Sequence, residues 1–403
     1  MDQERFSIGI NYWPKEAAMY WWRMFSSANV KRDFSLLAEF RFDVVRIFLL
    51  WEDFQPEIGT VSVRALDHLV EVADIAHDHR LQILPTFFCG HMSGVNWVPP
   101  WLVEPGKTKG NFPVCTEEKV IRNPLRNMFM DRDVRKAQKL LIHETTSALR
   151  GHPAIWGWDL GNQITHFMAP PSKDHTRAWF EEMLNELKRW DSHLPITTGI
   201  HQGDLERPWL MGPKEVANYC DFLSVYALPP FLRWADGAAD FQFPVFLCLI
   251  TKWLGGKNVI LESFGLPTKP PAGALNESDR AKLENTRLFS EGEAESYFHK
   301  VLNLLRQNGI SGAFAWCFAD FDSTLWEKPP FDGRIQERFY GLFQWNGVAK
   351  PAANIFSEFS RQGKQNEPDW TWIDIDRKEY YENSSASFKH LYGRFKDWCP
   401  QGE

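Results

Sequence analysis

The sequence has no apolar run approaching the ~20 residues that cross a bilayer, so it offers no candidate for a membrane-spanning helix. It enters an apolar stretch at Phe6 without a basic, apolar leader, from which we expect no signal peptide and a cytoplasmic location. Its six cysteines (Cys89, Cys115, Cys220, Cys248, Cys317 and Cys399) include no Cys-x-x-Cys pair. Several of them lie inside apolar stretches, which fits buried thiols in a reducing compartment better than a disulfide framework or a zinc site. No other metal-ligand spacing and no glycine-rich phosphate loop is found, so neither metal nor cofactor is expected. There is no Lys/Arg run, and a net charge of -7 (45 basic against 52 acidic residues) argues against a nucleic-acid partner.

What is abundant is tryptophan, with 19 Trp beside 31 Phe. The flat indole face suits the apolar C–H surface of a sugar ring, although some of these residues must be packing. Hydrophobic content of 44% with 24% charged residues is ordinary for a chain that buries a sizeable core.

From Phe6 to about residue 362, short apolar runs alternate with amphipathic stretches, the pattern of repeated strand–helix units around a parallel sheet. Strands are predicted over 6–12, 43–50, 81–88, 152–163, 196–200, 221–228, 259–264 and 312–318. Helical spacing is clear at Val30, Phe34 and Leu37, at Leu66, Leu69, Val70, Ala73 and Ala76, and at Tyr297, Val301, Leu304 and Leu305. Eight such units closing at 351–359 fit a (β/α)8 TIM barrel, an α/β fold in one domain over 1–362. The tail, 363–403, is too short for its own core and should pack back on the barrel. Residues 91–131 read as a long, functional insertion with few periodic features.

Functional groups in such barrels come from the C-terminal ends of strands. Those ends carry Asn11 and Trp13, Trp51 and Glu52, His91, Asn162 and Gln163, His201, Tyr226, Glu262, and Trp316 with Asp320; Trp97 lies in the insertion. Arg46 stands in the middle of the second strand, where a charge needs a partner. Such a rim of hydrogen-bonding groups and aromatics suits a neutral, polyhydroxylated ligand.

Two stretches carry a resemblance. Gly161-Asn162-Gln163 at the fourth strand and Ile260-Leu261-Glu262-Ser263-Phe264-Gly265 at the seventh resemble the acid/base and nucleophile motifs of clan A glycoside hydrolases, most closely family 5. Arg46, His91, Asn162, Tyr226 and Trp316 stand where that family has functional residues. The resemblance implies that Glu262 is the nucleophile of a retaining glycosidase and that residue 163 holds the acid/base position. It further implies that Asn162 binds the sugar 2-hydroxyl, and that Tyr226 and Arg46 orient the nucleophile. Gly9-Ile10-Asn11-Tyr12-Trp13-Pro14, Leu49-Leu50-Trp51-Glu52-Asp53-Phe54-Gln55-Pro56 and Gly90-His91-Met92-Ser93-Gly94-Val95-Asn96-Trp97 are similar to exo-acting, β-mannosidase-like members. The implied substrate is a short β-linked oligosaccharide, a β-mannoside first and a β-glucoside or β-galactoside next.

Two positions depart from the family pattern. Ser224 stands where many members have His, so His201 or His91 is expected to supply that contact. Gln163 stands where the acid/base Glu is expected, and an amide cannot exchange a proton near neutral pH. Three readings follow: an engineered Glu→Gln replacement that impairs a glycosidase, a naturally inactive sugar-binding relative, or another acid among Asp159, Asp320 and Glu52.

Overall fold

The computed structural model describes residues 5–104, 106, 110, 112–208, 210–228, 237, 239–283, 287–360, 362–363 and 367–399. The barrel strands are β1 (Ser7–Asn11), β2 (Val44–Phe48), β3 (Gln82–Thr86), β4 (Trp158–Asp159), β5 (Ile196–Thr197 and Gly199–Ile200), β6 (Leu223–Tyr226), β7 (Val259–Phe264) and β8 (Gly312–Ala315). All pair in parallel, from Gly9 beside Val44 round to Ser7 beside Gly312. Thr198 interrupts β5: its first half pairs with β4 and its second with β6, so the ring is closed through one strand working in two pieces.

Residues of β2, β7 and β8 are buried without exception, as expected of strands covered on both faces. The cover is α1 (Ser27–Glu39), α2 (Val63–Asp78), α3 (Arg132–Ala148), α4 (Lys173–Trp190), α5 (Pro213–Ala217), α6 (Gln242–Gly255), α7 (Glu291–Gln307) and α8 (Pro351–Phe359). Side chains fix several starts. Ser62 accepts from the Ala65 N–H at α2, Asp131 from Asp133 and Val134 at α3, and Ser290 with Glu293 closes a reciprocal capping box at α7.

The fold is therefore the expected (β/α)8 barrel, with shorter ladders than the apolar runs suggest. The fourth strand, expected over 152–163, is regular only at Trp158–Asp159, with an isolated parallel bridge from Ile155 to Ile83 before it and backbone hydrogen bonds at Leu160 and Gly161 after it. The insertion is also more ordered than its sequence suggests. His91–Met92, Val95–Trp97, Val114–Thr116 and Lys119–Ile121 form a small four-stranded sheet beside the barrel mouth.

α6 is buried on nearly every side. The reason lies in the tail, where α9 (Arg377–Glu382) and α10 (Ser384–Trp398) bring Phe388, Tyr392 and Phe395, with Trp372, against Phe246. Tyr380 adds a hydrogen bond from its hydroxyl to the Leu205 carbonyl (2.7 Å). Among the described residues, no helix is long and apolar enough to cross a membrane.

Candidate active site

Arg46 organises the floor. Its position on β2 points inward, and the cost of burying its charge is offset by a full set of acceptors. Nη2 donates to Asp159 Oδ2 (2.6 Å), Nε to Thr86 Oγ1 (3.0 Å), and Nη1 to Asn11 Oδ1 and Asn162 Oδ1 (3.1 Å each). Thr86 also donates to Asp159 (2.8 Å). The remaining face of the guanidinium pairs with the Glu262 carboxylate.

Glu262 is fully buried near the end of β7. The register slips on both sides of it, between Val225 and Tyr226 against β6 and between Leu261 and Phe264 against β8. Such irregularities re-aim side chains at barrel rims. The space the carboxylate occupies exists because residue 199 is glycine: a Cβ there would lie 2.8 Å from Glu262 Oε2. Burial pushes the Glu262 carboxyl well above the usual carboxylate range, Arg46 pulls it back, and Asp159 pushes it up. The Ser224 hydroxyl, 3.1 Å from Thr197 Oγ1, lies close enough to the carboxylate to lower it. His201 and His91 stand in the cleft wall.

Above this floor lies a cleft of about 370 Å³ whose lining includes His91, Gln163, His201, Tyr226 and Trp316. Gln163 adopts a left-handed conformation (φ 49°, ψ 48°) at the start of the short helix Ile164–Phe167, which turns the backbone sharply after β4. Its side chain lies beside the Tyr226 hydroxyl. Burial, then Glu337, raise the Tyr226 hydroxyl far above its ordinary range, so it stays protonated. Glu262 is not itself among the lining residues and lies just beneath them.

Several expected residues are placed elsewhere. Trp13 is stacked on Phe48 (centroids 4.9 Å apart), and Trp51 donates to Gln55 Oε1 (2.8 Å) while packing on Phe88 and Trp101. Trp97 donates to the Met92 carbonyl and packs on Tyr20. Glu52 pairs with Arg23, and Asp320 with Lys350 (2.7 Å). Asn162 is spanned between Arg46 and the His91 carbonyl. None of these lines the cleft, nor does Asp159.

The cleft also contains residues that sequence reading passed over: His166, Phe112, Gln202, Arg334 and Glu337. His166 stands edge-on to His91 (4.3 Å) and stacked on His201 (4.4 Å). Burial and mutual repulsion lower His91 to about 4 and His201 to about 3, and burial lowers His166, so this wall is neutral near pH 7. The Gly203 N–H donates to His201 Nδ1 (3.0 Å), which leaves the proton on Nε2. The only sequence hint of His166 was its place three residues beyond Gln163. Glu337 follows the last strand in a segment without periodicity. Among the described residues, no group of His, Cys, Asp and Glu could hold a metal ion.

Comparison with solved structures places this geometry. A GH5_18 protein from Bifidobacterium longum subsp. infantis matches with a TM-score of 0.71 and 22% identity over 90% of this chain and 80% of its own. A single-residue variant of a GH5_18 protein from Streptomyces cattleya, in complex with Manb1-4GlcNAc, matches with a TM-score of 0.77 and 19% identity over 98% and 92%. The chain shares their fold. An exo-beta-1,4-mannosidase from Opitutaceae bacterium strain TAV5 matches with a TM-score of 0.70 and 22% identity, over 88% of this chain and 59% of its own. No protein-family model matches the sequence, and neither does any curated protein.

Proposed function

We propose that the chain is a glycoside hydrolase of the family 5 kind that cleaves short β-linked oligosaccharides with retention, a β-mannoside being the preferred substrate. One observation carries this reading: a buried carboxylate, Glu262, paired with Arg46 beneath a cleft lined by Gln163, Tyr226 and Trp316. In this role Glu262 attacks the anomeric carbon, and Tyr226 and Arg46 hold its orientation. The β-mannoside preference is supported by the shared fold with the exo-beta-1,4-mannosidase and with the GH5_18 variant bound to Manb1-4GlcNAc.

Exo action is supported by the way one end of the cleft is bridged. Ser93 lies beside Glu337, and the Arg334 side chain lies so close over Gly94 that a Cβ at 94 would come 2.7 Å from its Nε. The insertion after β3 and the segment after β8 therefore meet across the mouth. The buried thiols of Cys89, Cys115, Cys220, Cys248 and Cys317 support a reducing, cytoplasmic setting.

With an amide at 163, the leaving oxygen lacks its usual proton source, a loss worth roughly 10²–10⁴-fold unless another group supplies the proton. The test is a panel of nitrophenyl β-glycosides assayed with the chain and with Gln163→Glu. Hydrolysis of the mannoside, faster in the substituted protein, is expected; no hydrolysis of any sugar by either protein overturns the reading in favour of a sugar-binding barrel.

A further inference from the structure

Among the described residues lining the cleft, Glu337 is the one carboxylate. It lies in a 3-10 turn, Ile335–Phe339, and is only 6% exposed. The turn is held from behind by the next residue. Arg338 donates to both carboxylate oxygens of Asp279 (2.9 and 3.3 Å) and to the Phe331 and Trp326 carbonyls (3.0 and 3.1 Å). In front, Glu337 lies beside the Ser93 hydroxyl and close enough to Tyr226 to perturb its hydroxyl, and Ser93, Tyr226 and Gln163 line the same cleft. A carboxyl on a turn braced by Arg338 thus lines the same cleft as the residue 163 amide.

We propose that Glu337 is the proton carrier of this site, doing what an amide at 163 cannot. The inference rests on the glycosidase reading above. As the Glu262 oxygen bonds to C1, the bond from C1 to the leaving oxygen breaks, its electron pair stays on that oxygen, and the Glu337 proton joins it to give a free alcohol. In the second half, a water gives its proton to the Glu337 carboxylate while its oxygen bonds to C1, and the bond from C1 to Glu262 breaks to regenerate the carboxylate.

The other cleft groups do not fit the task. His91, His166 and His201 are held neutral, and the Tyr226 hydroxyl is held protonated. Burial raises Glu337 to about 7, against the nearby Ser93 hydroxyl and the Arg334 charge, so it can both give and take a proton near neutrality. The titratable or charged groups facing it are Arg334 and Tyr340 from its own segment, Tyr226 from β6, and Cys317 just after β8.

The test compares two substrates that differ in their need for a proton: an unactivated β-linked mannosyl disaccharide and 2,4-dinitrophenyl β-mannoside, whose phenolate leaves unaided. In Glu337→Gln, kcat on the disaccharide should fall ~10²-fold or more, while bond cleavage in the dinitrophenyl glycoside persists and added azide speeds its turnover. The alkaline limb of kcat/KM on the disaccharide, near pH 7 in the unsubstituted chain, should vanish. Ser93→Ala, which removes the hydroxyl that lowers the carboxyl, should move that limb to higher pH with the fold intact. Equal losses on both substrates, a rise in KM alone, or an unmoved alkaline limb in both variants would overturn the proposal and leave Glu337 as part of the sugar-binding wall. Failure of the unsubstituted chain to cleave even the dinitrophenyl glycoside would instead remove the glycosidase reading itself.

Discussion

Two buried ion-pair networks in the molecule are built differently. In one, Lys350 donates to Asp320 Oδ1 (2.7 Å) and Thr268 Oγ1 (2.7 Å), and Asp320 also accepts from the Gly341 N–H (3.0 Å). One cation serves one carboxylate there, and both are closed off from the cleft. Beneath the cleft, Arg46 is shared between two carboxylates, and most of its hydrogen bonds go to Asp159, Thr86, Asn11 and Asn162. Glu262 receives the remaining share and lies just under Gln163 and Tyr226. A saturated pair anchors structure; a carboxylate with a divided partner keeps its reactivity. The contrast predicts where substitutions cost activity and where they cost stability.

The largest effect is expected at Glu262. Glu262→Gln should lower kcat on an activated glycoside on the order of 10⁴-fold or more. Thermal unfolding should show no loss of stability, because Arg46 keeps Asp159 and a costly buried carboxylate is gone. A large stability loss with activity retained would erase the contrast. Lys350→Met is the opposite experiment. It leaves Asp320 buried without its cation and should destabilise by ~3–5 kcal/mol in urea unfolding, while the protein that remains folded keeps its turnover.

Gly199→Ala sharpens the comparison by moving the carboxylate without removing it. The added methyl would sit 2.8 Å from Glu262 Oε2, and displacement on that scale costs about 10²-fold in kcat, with KM little changed. The smallest effect concerns pH. Burial raises Asp320 to about 6, above its unfolded range, with Lys350 opposing. Its contribution to stability is therefore present below about pH 4 and lost as pH rises through about 6. Asp320→Asn should flatten that part of the stability profile, measured by denaturant unfolding between pH 4 and 7.

Much of this was legible in the chain. The buried strands are apolar runs of the right length, so β2, β7 and β8 could be read directly. Arg46 and Glu262 stood out because a charge inside such a run must have a partner. Trp13, Trp51, Glu52, Asp320 and Trp97 looked equivalent to Tyr226 and Trp316, since all stand near strand ends or in the insertion. The fold separates them: the first group is absorbed by Phe48, Gln55, Arg23, Lys350 and Tyr20, and the second lines the cleft.

The sequence by itself determined the barrel and its inward charges, because apolar periodicity and the cost of an unpaired buried charge are local constraints. It also determined the chemistry missing at position 163, since an amide carries no exchangeable acid proton at neutral pH. Only the tertiary structure decided which polar groups share a space. Ser93 and Glu337 lie far apart along the chain, and neither belongs to a periodic element; their meeting depends on how the segments after β3 and β8 close over the mouth. Without that closure Glu337 is one more surface-type residue, and with it a buried carboxyl shares the cleft with the amide.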